Sequence, residues 1–598
     1  MCGIIAYLGQ KNGVPIVLKG LKRLEYRGYD SAGIALKQEN NLKTIKAKGK
    51  IEQLKALING ENSNIVIGHT RWATHGEPNH INAHPHTSEG IAIVHNGIIE
   101  NHASLRKELE HKYNYKFQSQ TDSEVIAHLI DFFYDGDFED AFRKMLTKID
   151  GAFGIVALHK NHNQMICARK GSPLVLGIGE NETFVASDPS PFLDHTKNVV
   201  YLDEKQMVII NPDSYQIKDF NGYNLEKEVE KISYGIESIQ KQGYKHFMLK
   251  EINEQNETIK NCFRGKIKDI EMVSIKKENF QRIVLVACGT SYYAALVGKY
   301  IIEKTTHLPV LVEHASEFRY RQPMLYPTDL VVAISQSGET ADTLEAIRLA
   351  KKIGCSTAGM VNVTGSSIAK ECGQGIYLHA GPEIGVASTK AFTSQIIALN
   401  MLNLYINKDP YYKMKVIEEI KKLPDQIKSL LENQNIKPIA EKYRNAKYFL
   451  FMARDINYPV AMEGALKLKE ISYIPAEGYP AGEMKHGPIA LIDSEVPSVF
   501  IVTKDSIFPK VISNMEEVKS RKGKIICICD EINEEIQRLA DDIIVVPQVK
   551  WEFTPIVNVI PMQLIAYHIA DMNGKNVDQP KNLAKSCTVE WFTSKKGI

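Results

Sequence analysis

The chain has 598 residues, of which 44% are hydrophobic and 24% charged, and its formal net charge is +2. That length exceeds a single hydrophobic core and points to about three or four domains of ordinary globular composition. The balanced charge leaves no electrostatic footprint for nucleic acid, and nothing in the composition calls for a membrane surface.

The opening Met1-Cys2-Gly3-Ile4-Ile5 has no basic region ahead of an apolar segment and does not read as a signal peptide. Nine cysteines are spread thinly with no CxxC pair, which argues for reduced thiols and a cytoplasmic setting. The greasiest stretch, Ile556–Ala570, carries Asn558, Pro561, Gln563 and His568 and reads as too short and too polar to span a bilayer.

Residues 1–235 are rich in short strand-like runs bounded by Gly, Asn and Asp, among them Gly3–Leu8, Ile65–Gly68, Ile91–His95, Phe153–His159, Phe184–Ser187 and Met207–Ile210. A helical pattern at Glu124–Phe133 lies between them. The reading is an α+β domain of stacked, mostly antiparallel sheets. Polar residues from about Glu226 to Gly243 suggest a linker, and 236–270 is taken as linker and lead-in helix.

Beyond it the apolar runs become continuous and alternate with long helical patterns, as in a parallel sheet covered on both faces. The strand Arg282–Ala287 has a counterpart in Lys447–Ala453. Asp329–Ser335 with the helix Glu339–Lys352 is answered by Val496–Thr503 with Phe508–Lys519, and Thr357–Val363 by Lys524–Cys529. Matched units in one order indicate two copies of a doubly wound α/β domain, at 271–412 and 438–575, with a tail at 576–598. Cys527 and Cys529 alternate along a buried strand and read as packing residues.

The loop Ser335-Gln336-Ser337-Gly338-Glu339-Thr340 follows a strand and precedes a helix. Backbone amides at a helix N-terminus, with the Ser335, Ser337 and Thr340 hydroxyls and the Gln336 amide, make a phosphate cradle; a capped turn is the plainer reading. The second copy has Thr503-Lys504-Asp505-Ser506-Ile507 there, so a ligand of this loop binds one copy only. Glu463, Lys467 and Glu470 fall on one face of a helix, which by spacing alone reads as a solvated ion-pair stripe.

Cys2 becomes N-terminal if Met1 is removed, placing a thiol and an amine on one residue as a compact nucleophile–base pair. From position alone, a buried structural cysteine is the commoner case. The six histidines from His69 to His95 raise a zinc site, but no carboxylate or cysteine completes a ligand set, and no metal is expected.

Six motifs occur in order: Cys2-Gly3-Ile4, Arg23–Ala35, His69–Gly76, Asn82–His86, His95–Asn101 and Ser119–Glu124. Together they resemble the glutaminase domain of class II amidotransferases, an N-terminal-nucleophile fold. The resemblance implies that Cys2 attacks the glutamine amide and that Asn96 and the Gly97 amide form the oxyanion hole. It implies that Arg71 grips the α-carboxylate, that Asp122 meets the α-ammonium, that Thr74 and His75 share the substrate loop, and that Trp72 gates ammonia.

SQSGET, Cys288–Ser291 and Glu383–Lys390 resemble the SIS (sugar isomerase) family, which implies that Ser291, Val386 and Ser388 contact a sugar. Glu463–Tyr473, Ala481–Pro488 and Asp578–Glu590 resemble the glucosamine-6-phosphate synthases in particular. The implied reaction joins L-glutamine and D-fructose 6-phosphate, with no cofactor, and passes ammonia inside the protein. His486 would assist ring opening, Lys585 would form the Schiff base, and Glu470 would move a proton between C1 and C2, with Lys467 setting its environment. In that family His486 comes from a neighbouring subunit, implying a homodimer. The chain runs past the family's usual terminal glutamate, Glu590, through Trp591–Ile598, which is expected to lie outside the closed site. The rival readings are another class II amidotransferase, or a sugar-phosphate sensor built on SIS domains.

Overall fold

A computed structural model describes residues 2–72, 76–232, 239–264, 275, 280–433 and 435–585. The chain divides into two compact units, one of residues 1–239 with 339–341 and 584–598, the other of 240–338 and 342–583.

In the first unit, the described residues form an eight-stranded and a seven-stranded sheet. Every strand pair in them is antiparallel. Period-two alternation assigns the faces. Ile4, Ala6 and Leu8 of the strand Gly3–Gly9 meet Ala92 and Val94 of the strand Ile91–Ile99 in the core between the sheets. Ile91 and Ile93 point the other way, toward Val125, Ile126 and Ala127 of the helix Glu124–Phe133. The helix Gly13–Arg23 covers the outer face of the first sheet: a Cβ at Gly68 would meet Val17 and Leu21. The result is two stacked antiparallel sheets between helices, as expected.

The second unit holds two five-stranded parallel sheets of identical order. One runs Val310–His314, Arg282–Ala287, Asp329–Ser335, Ser356–Val361, Gly375–Tyr377; the other runs Ala476–Pro480, Phe449–Ala453, Pro497–Val502, Lys524–Cys529, Asp542–Val545. The duplication read from the sequence is thus present strand for strand, in a doubly wound order with the second strand outside the first. Both faces of each sheet are covered, which is why the runs are continuously apolar. Ile525, Cys527 and Cys529 share one core, while Ile526 and Ile528 face the other, so the two cysteines are packing residues.

The stretch read as too short and too polar for a bilayer belongs to a longer segment. Trp551–Met572 is 22 residues of helical turns, long and apolar enough by length and composition to cross a membrane, and 94% of its most apolar window is buried inside the protein. Asn558 and Gln563 do not mark a wet face. Asn558 donates to Asn457 and Gln563 accepts from Gln255, both inside the core.

Candidate active sites

Cys2 immediately precedes the central strand Gly3–Gly9, whose neighbours are Ile65–Arg71 and Glu182–Ala186. Asn96 continues the parity of Ala92 and Val94, so its side chain faces the first sheet. Its Nδ2 donates to the Cys2 carbonyl at 3.1 Å and to Ser187 Oγ at 2.9 Å. Its Oδ1 accepts from His69 Nε2 at 3.1 Å, and the same nitrogen meets the His95 carbonyl at 3.1 Å. Two acceptors at one nitrogen place the proton on Nε2 and fix the Asn96 amide with its NH2 toward Cys2. Gly97 has φ +125°, and a Cβ there would lie 1.9 Å from the Ala152 carbonyl, so no other residue fits beside the strand Gly151–His159.

The Cys2 thiol is half-buried. Trp72 N–H donates to its sulfur at 3.2 Å, but burial dominates and pushes the thiol up. A thiol in that condition needs a proton acceptor before it can attack. Arg71 is buried at the end of its strand and donates to the Gly76 and Glu77 carbonyls. Burial lowers it, opposed by the nearby Cys2, Asp30 and Asp122. Asp122 accepts from Ile99 N–H at 2.8 Å. Its loop is held by Glu124, whose carboxylate accepts from Gln118 N, Ser119 N and Ser119 Oγ. Burial alone would raise Glu124, but His128 and those donors bring it down to about 2. Trp72 packs edge-on against Tyr29 at 5.5 Å. Thr74 and His75 lie outside the described residues, as do Glu590 and Trp591–Ile598.

Sequence reasoning did not single out Arg27 or Ser187. Arg27 Nε donates to the Cys2 carbonyl at 3.4 Å and its NH1 to Asp188 at 2.8 Å, while Tyr26 OH donates to the same carboxylate at 2.6 Å. Arg27 sits inside a motif already noted, RLEYRGYDSAGIA, but its target is backbone, which no side-chain pattern reveals.

The strand Asp329–Ser335 delivers the polar loop to the N-terminus of the helix Ala341–Ile353. Ser335 Oγ accepts from Gly338 N at 3.1 Å, the Gln336 carbonyl accepts from Asn362 N, and Gln336, Ser337 and Thr340 are half-buried. In the second copy, Asp505 takes up the equivalent donors. It accepts from Thr503 Oγ1 at 2.6 Å and from Ile507 N at 2.9 Å. A carboxylate in that loop repels an anion.

The stripe Glu463, Lys467, Glu470 on the helix Tyr458–Ser472 is not solvated. The Glu463 and Lys467 side chains are 0% exposed and that of Glu470 22%. Lys467 Nζ lies 2.7 Å from Glu470, 3.3 Å from Glu463 and 3.0 Å from Thr290 Oγ1, and Thr290 in turn donates to Glu463 at 3.2 Å. Burial pushes Glu463 up to about 8. Burial would lower Lys467, but the two carboxylates hold its ammonium charged. Thr290 starts the helix that also carries Ser291, whose Oγ accepts from Gln395 at 2.8 Å. Ser388 Oγ donates to Glu383 at 2.9 Å, and Val386 is buried. His486 ends the 3-10 helix Ala481–His486 and is exposed, and its side chain makes no hydrogen bond or ion pair among the described residues. Lys585, the last described residue, is half-buried.

His69, His84 and His86 are all buried, with the His69 and His84 rings stacked at 4.0 Å and those of His84 and His86 edge-on at 4.5 Å. Among the described residues no group of three or more His, Cys, Asp or Glu side chains could hold a metal ion.

A glutamine amidotransferase domain model matches residues 69–194, and a SIS domain model matches 274–405 and 442–570. The chain is 48% identical to the glutamine–fructose-6-phosphate aminotransferase (isomerizing) of Chlorobaculum tepidum, over 99% of this chain and all of that one. It is 46% identical to the enzyme of that name from Bacteroides thetaiotaomicron, again over 99% of this chain and all of the other. Among solved structures, the C-terminal domain of glucosamine-fructose-6-phosphate aminotransferase from Francisella tularensis matches at 41% identity and TM-score 0.54, covering 57% of this chain and all of that domain.

Burial lowers His69 to about 3 and takes His84 and His86 well below the ordinary value. Because the buried rings stay neutral, only the unfolded chain binds protons as pH falls below the unfolded-state value of about 6.5, and the fold loses stability there. Three such groups give a limiting slope of about 4 kcal/mol per pH unit. Thermal unfolding followed from pH 7 to pH 4 should show this loss. His84→Asn should shallow the slope by one proton, and an unchanged slope would contradict the assignment.

Proposed function

We propose a residue-by-residue mechanism for this chain, which belongs to the glutamine–fructose-6-phosphate aminotransferase (isomerizing) family and transfers the glutamine amide nitrogen to D-fructose 6-phosphate, giving D-glucosamine 6-phosphate and L-glutamate. The observation that carries the assignment is the buried Glu463–Lys467–Glu470 cluster, tied through Thr290 to the polar loops of the first SIS copy. A sugar-phosphate sensor has no use for a buried proton-relay cluster or for a nucleophile at Cys2. Other class II amidotransferases need a pyrophosphate or ATP partner domain where this chain has two SIS copies. The chain divides into a glutaminase domain at 1–235, a connecting segment at 236–270, SIS domains at 271–412 and 438–575, and a tail from 576.

At the glutaminase site, the α-amino group of Cys2, freed by loss of Met1, takes the thiol proton and the thiolate attacks the side-chain amide. The tetrahedral oxyanion is stabilised by Asn96 Nδ2 and the Gly97 N–H, and collapse releases ammonia and leaves a thioester that water hydrolyses. Arg71 and Asp122 hold the α-carboxylate and α-ammonium, with Thr74 and His75 on the covering loop and Trp72 as the gate. The raised thiol supports this reading, since a dedicated base is then required.

At the sugar site, Ser335, Gln336, Ser337 and Thr340 bind the phosphate, and Ser291, Val386 and Ser388 the sugar. His486 assists ring opening. Its exposure supports donation across a homodimer. The Lys585 amine adds to the C2 carbonyl with loss of water, and ammonia displaces it. Glu470 then carries a proton from C1 to C2, its carboxylate facing Lys467. The cytoplasm is the setting in which free thiols such as these persist.

Cys2→Ala should abolish glutamate release while slow conversion of fructose 6-phosphate to glucose 6-phosphate persists. Undiminished glutaminase activity would rule out the nucleophile, and mass spectrometry of the native chain should show Met1 absent.

Ser337→Ala removes one donor to an anion, a loss of about 1.5–3 kcal/mol. The fructose 6-phosphate KM should rise by the corresponding factor of roughly 10–150. Ser506→Ala, in the loop that Asp505 closes, should leave it unchanged; an equal effect would place the site in the wrong copy.

Borohydride added with fructose 6-phosphate should reduce the imine and attach one sugar phosphate to the chain. Peptide mapping should find it on Lys585; an adduct on Lys467 would move the imine there.

A further inference from the structure

The segment Glu383–Thr389 has almost no regular structure, yet its backbone is held from three sides. Glu251, on the helix Phe247–Asn253, is 2% exposed, and its Oε1 accepts from both Ile384 N–H and Gly385 N–H, the latter at 3.1 Å. The Asp578 carbonyl accepts from Val386 N–H at 3.0 Å. The Glu383 carboxylate accepts from Thr389 N at 2.9 Å, Ala391 N at 3.0 Å and Ser388 Oγ at 2.9 Å, which also caps the helix Lys390–Ile406.

The first two holds belong to one assembly. The Asp578 side chain accepts from Phe247 N at 2.9 Å and Met248 N at 3.0 Å, the start of the helix that carries Glu251. Helix and tail segment therefore grip three consecutive amides, 384 to 386, as one piece. The approach of Glu251 depends on Gly385, where a Cβ would lie 2.8 Å from Glu251 Oε2. Nothing in the assigned chemistry uses this carboxylate. Burying it is costly unless the amides it meets need it, and those amides adjoin Val386 and Ser388.

We propose that Glu251 is a positioning residue for the sugar site: by holding the Ile384 and Gly385 amides it sets the backbone path that aims Val386 and Ser388. The inference rests on the reading that Val386 and Ser388 meet the sugar. Without Glu251 the segment must be ordered by the ligand, so the cost falls on binding. Once the sugar is bound, the reacting groups are unchanged.

The test compares full-length E251A, E251Q and S388A by steady-state kinetics with fructose 6-phosphate. E251A should raise the fructose 6-phosphate KM about tenfold with kcat within about twofold, the signature of lost ground-state ordering. E251Q keeps an acceptor oxygen in place and should recover most of that loss. An unchanged KM in E251A while S388A raises it would overturn the role of Glu251. A loss confined to kcat and thermal midpoint, with KM unmoved, would overturn it as well, showing Glu251 to be merely structural. An unchanged KM in S388A would instead remove the reading on which the inference rests. If E251A does not fold, G385A, which drives a methyl group against Glu251, should raise KM in the same way, and an unchanged KM there would count against the proposal.

Discussion

The Lys467 ammonium has no exposure to water, and that one condition organises the sugar half of the molecule. A buried cation costs several kcal/mol unless it is paired and fully hydrogen-bonded. Here the partners come from two places in the chain. Glu463 and Glu470 lie one turn to either side on the same helix, while Thr290 stands at the first loop of the other SIS copy. Satisfying one charge therefore fixes the second-copy helix against the first-copy loop. It also puts a carboxylate that is still partly open to solvent, Glu470, beside the polar loops. Burial pushes Glu463 up while Lys467 pulls it back, and both carboxylates raise Lys467 against its own burial.

Around Cys2 the same logic works through a chain of buried hydrogen bonds that includes the Arg27–Asp188 ion pair. The Cys2 carbonyl is held by Asn96 and Arg27, Asn96 by His69, and His69 is kept neutral because it has no water. A protonated His69 would remain a donor to Asn96, but its buried charge would have no counter-ion. The stacked imidazoles are thus scaffolding for an amide aimed at the Cys2 carbonyl, a role for histidine that requires it never to titrate at working pH.

Much of the fold was legible in the sequence. The strands Arg282–Ala287, Asp329–Ser335 and Lys524–Cys529 and the helices Glu124–Phe133 and Phe508–Lys519 stand where periodicity places them, because both-face burial and amphipathic spacing leave one solution each. The surroundings of the sites were harder to read. Spacing puts Glu463, Lys467 and Glu470 on one face but cannot say whether that face meets water or protein, since burial is decided by partners distant in sequence. The motifs marked Glu383 and Glu124 without their tasks. Glu251, Arg27 and Ser187 went unnoticed because each serves backbone amides, carbonyls or one other side chain. Such residues leave no pattern beyond their own identity. The long helix Thr554–Met572 shows the same limit: its polar Asn558 and Gln563 are marked by the sequence, but their partners inside the core, Asn457 and Gln255, are distant in the chain.

The central claim is that one polypeptide draws nitrogen from glutamine at Cys2 and spends it on the sugar without releasing it. Glutamine labelled with nitrogen-15 at the side-chain amide, supplied with fructose 6-phosphate and an excess of unlabelled ammonium, tests this directly. The account predicts that the amino sugar formed carries nitrogen-15, with one glutamate produced for each amino sugar. Product bearing nitrogen from the bulk ammonium, or glutamate accumulating without labelled amino sugar, would contradict it.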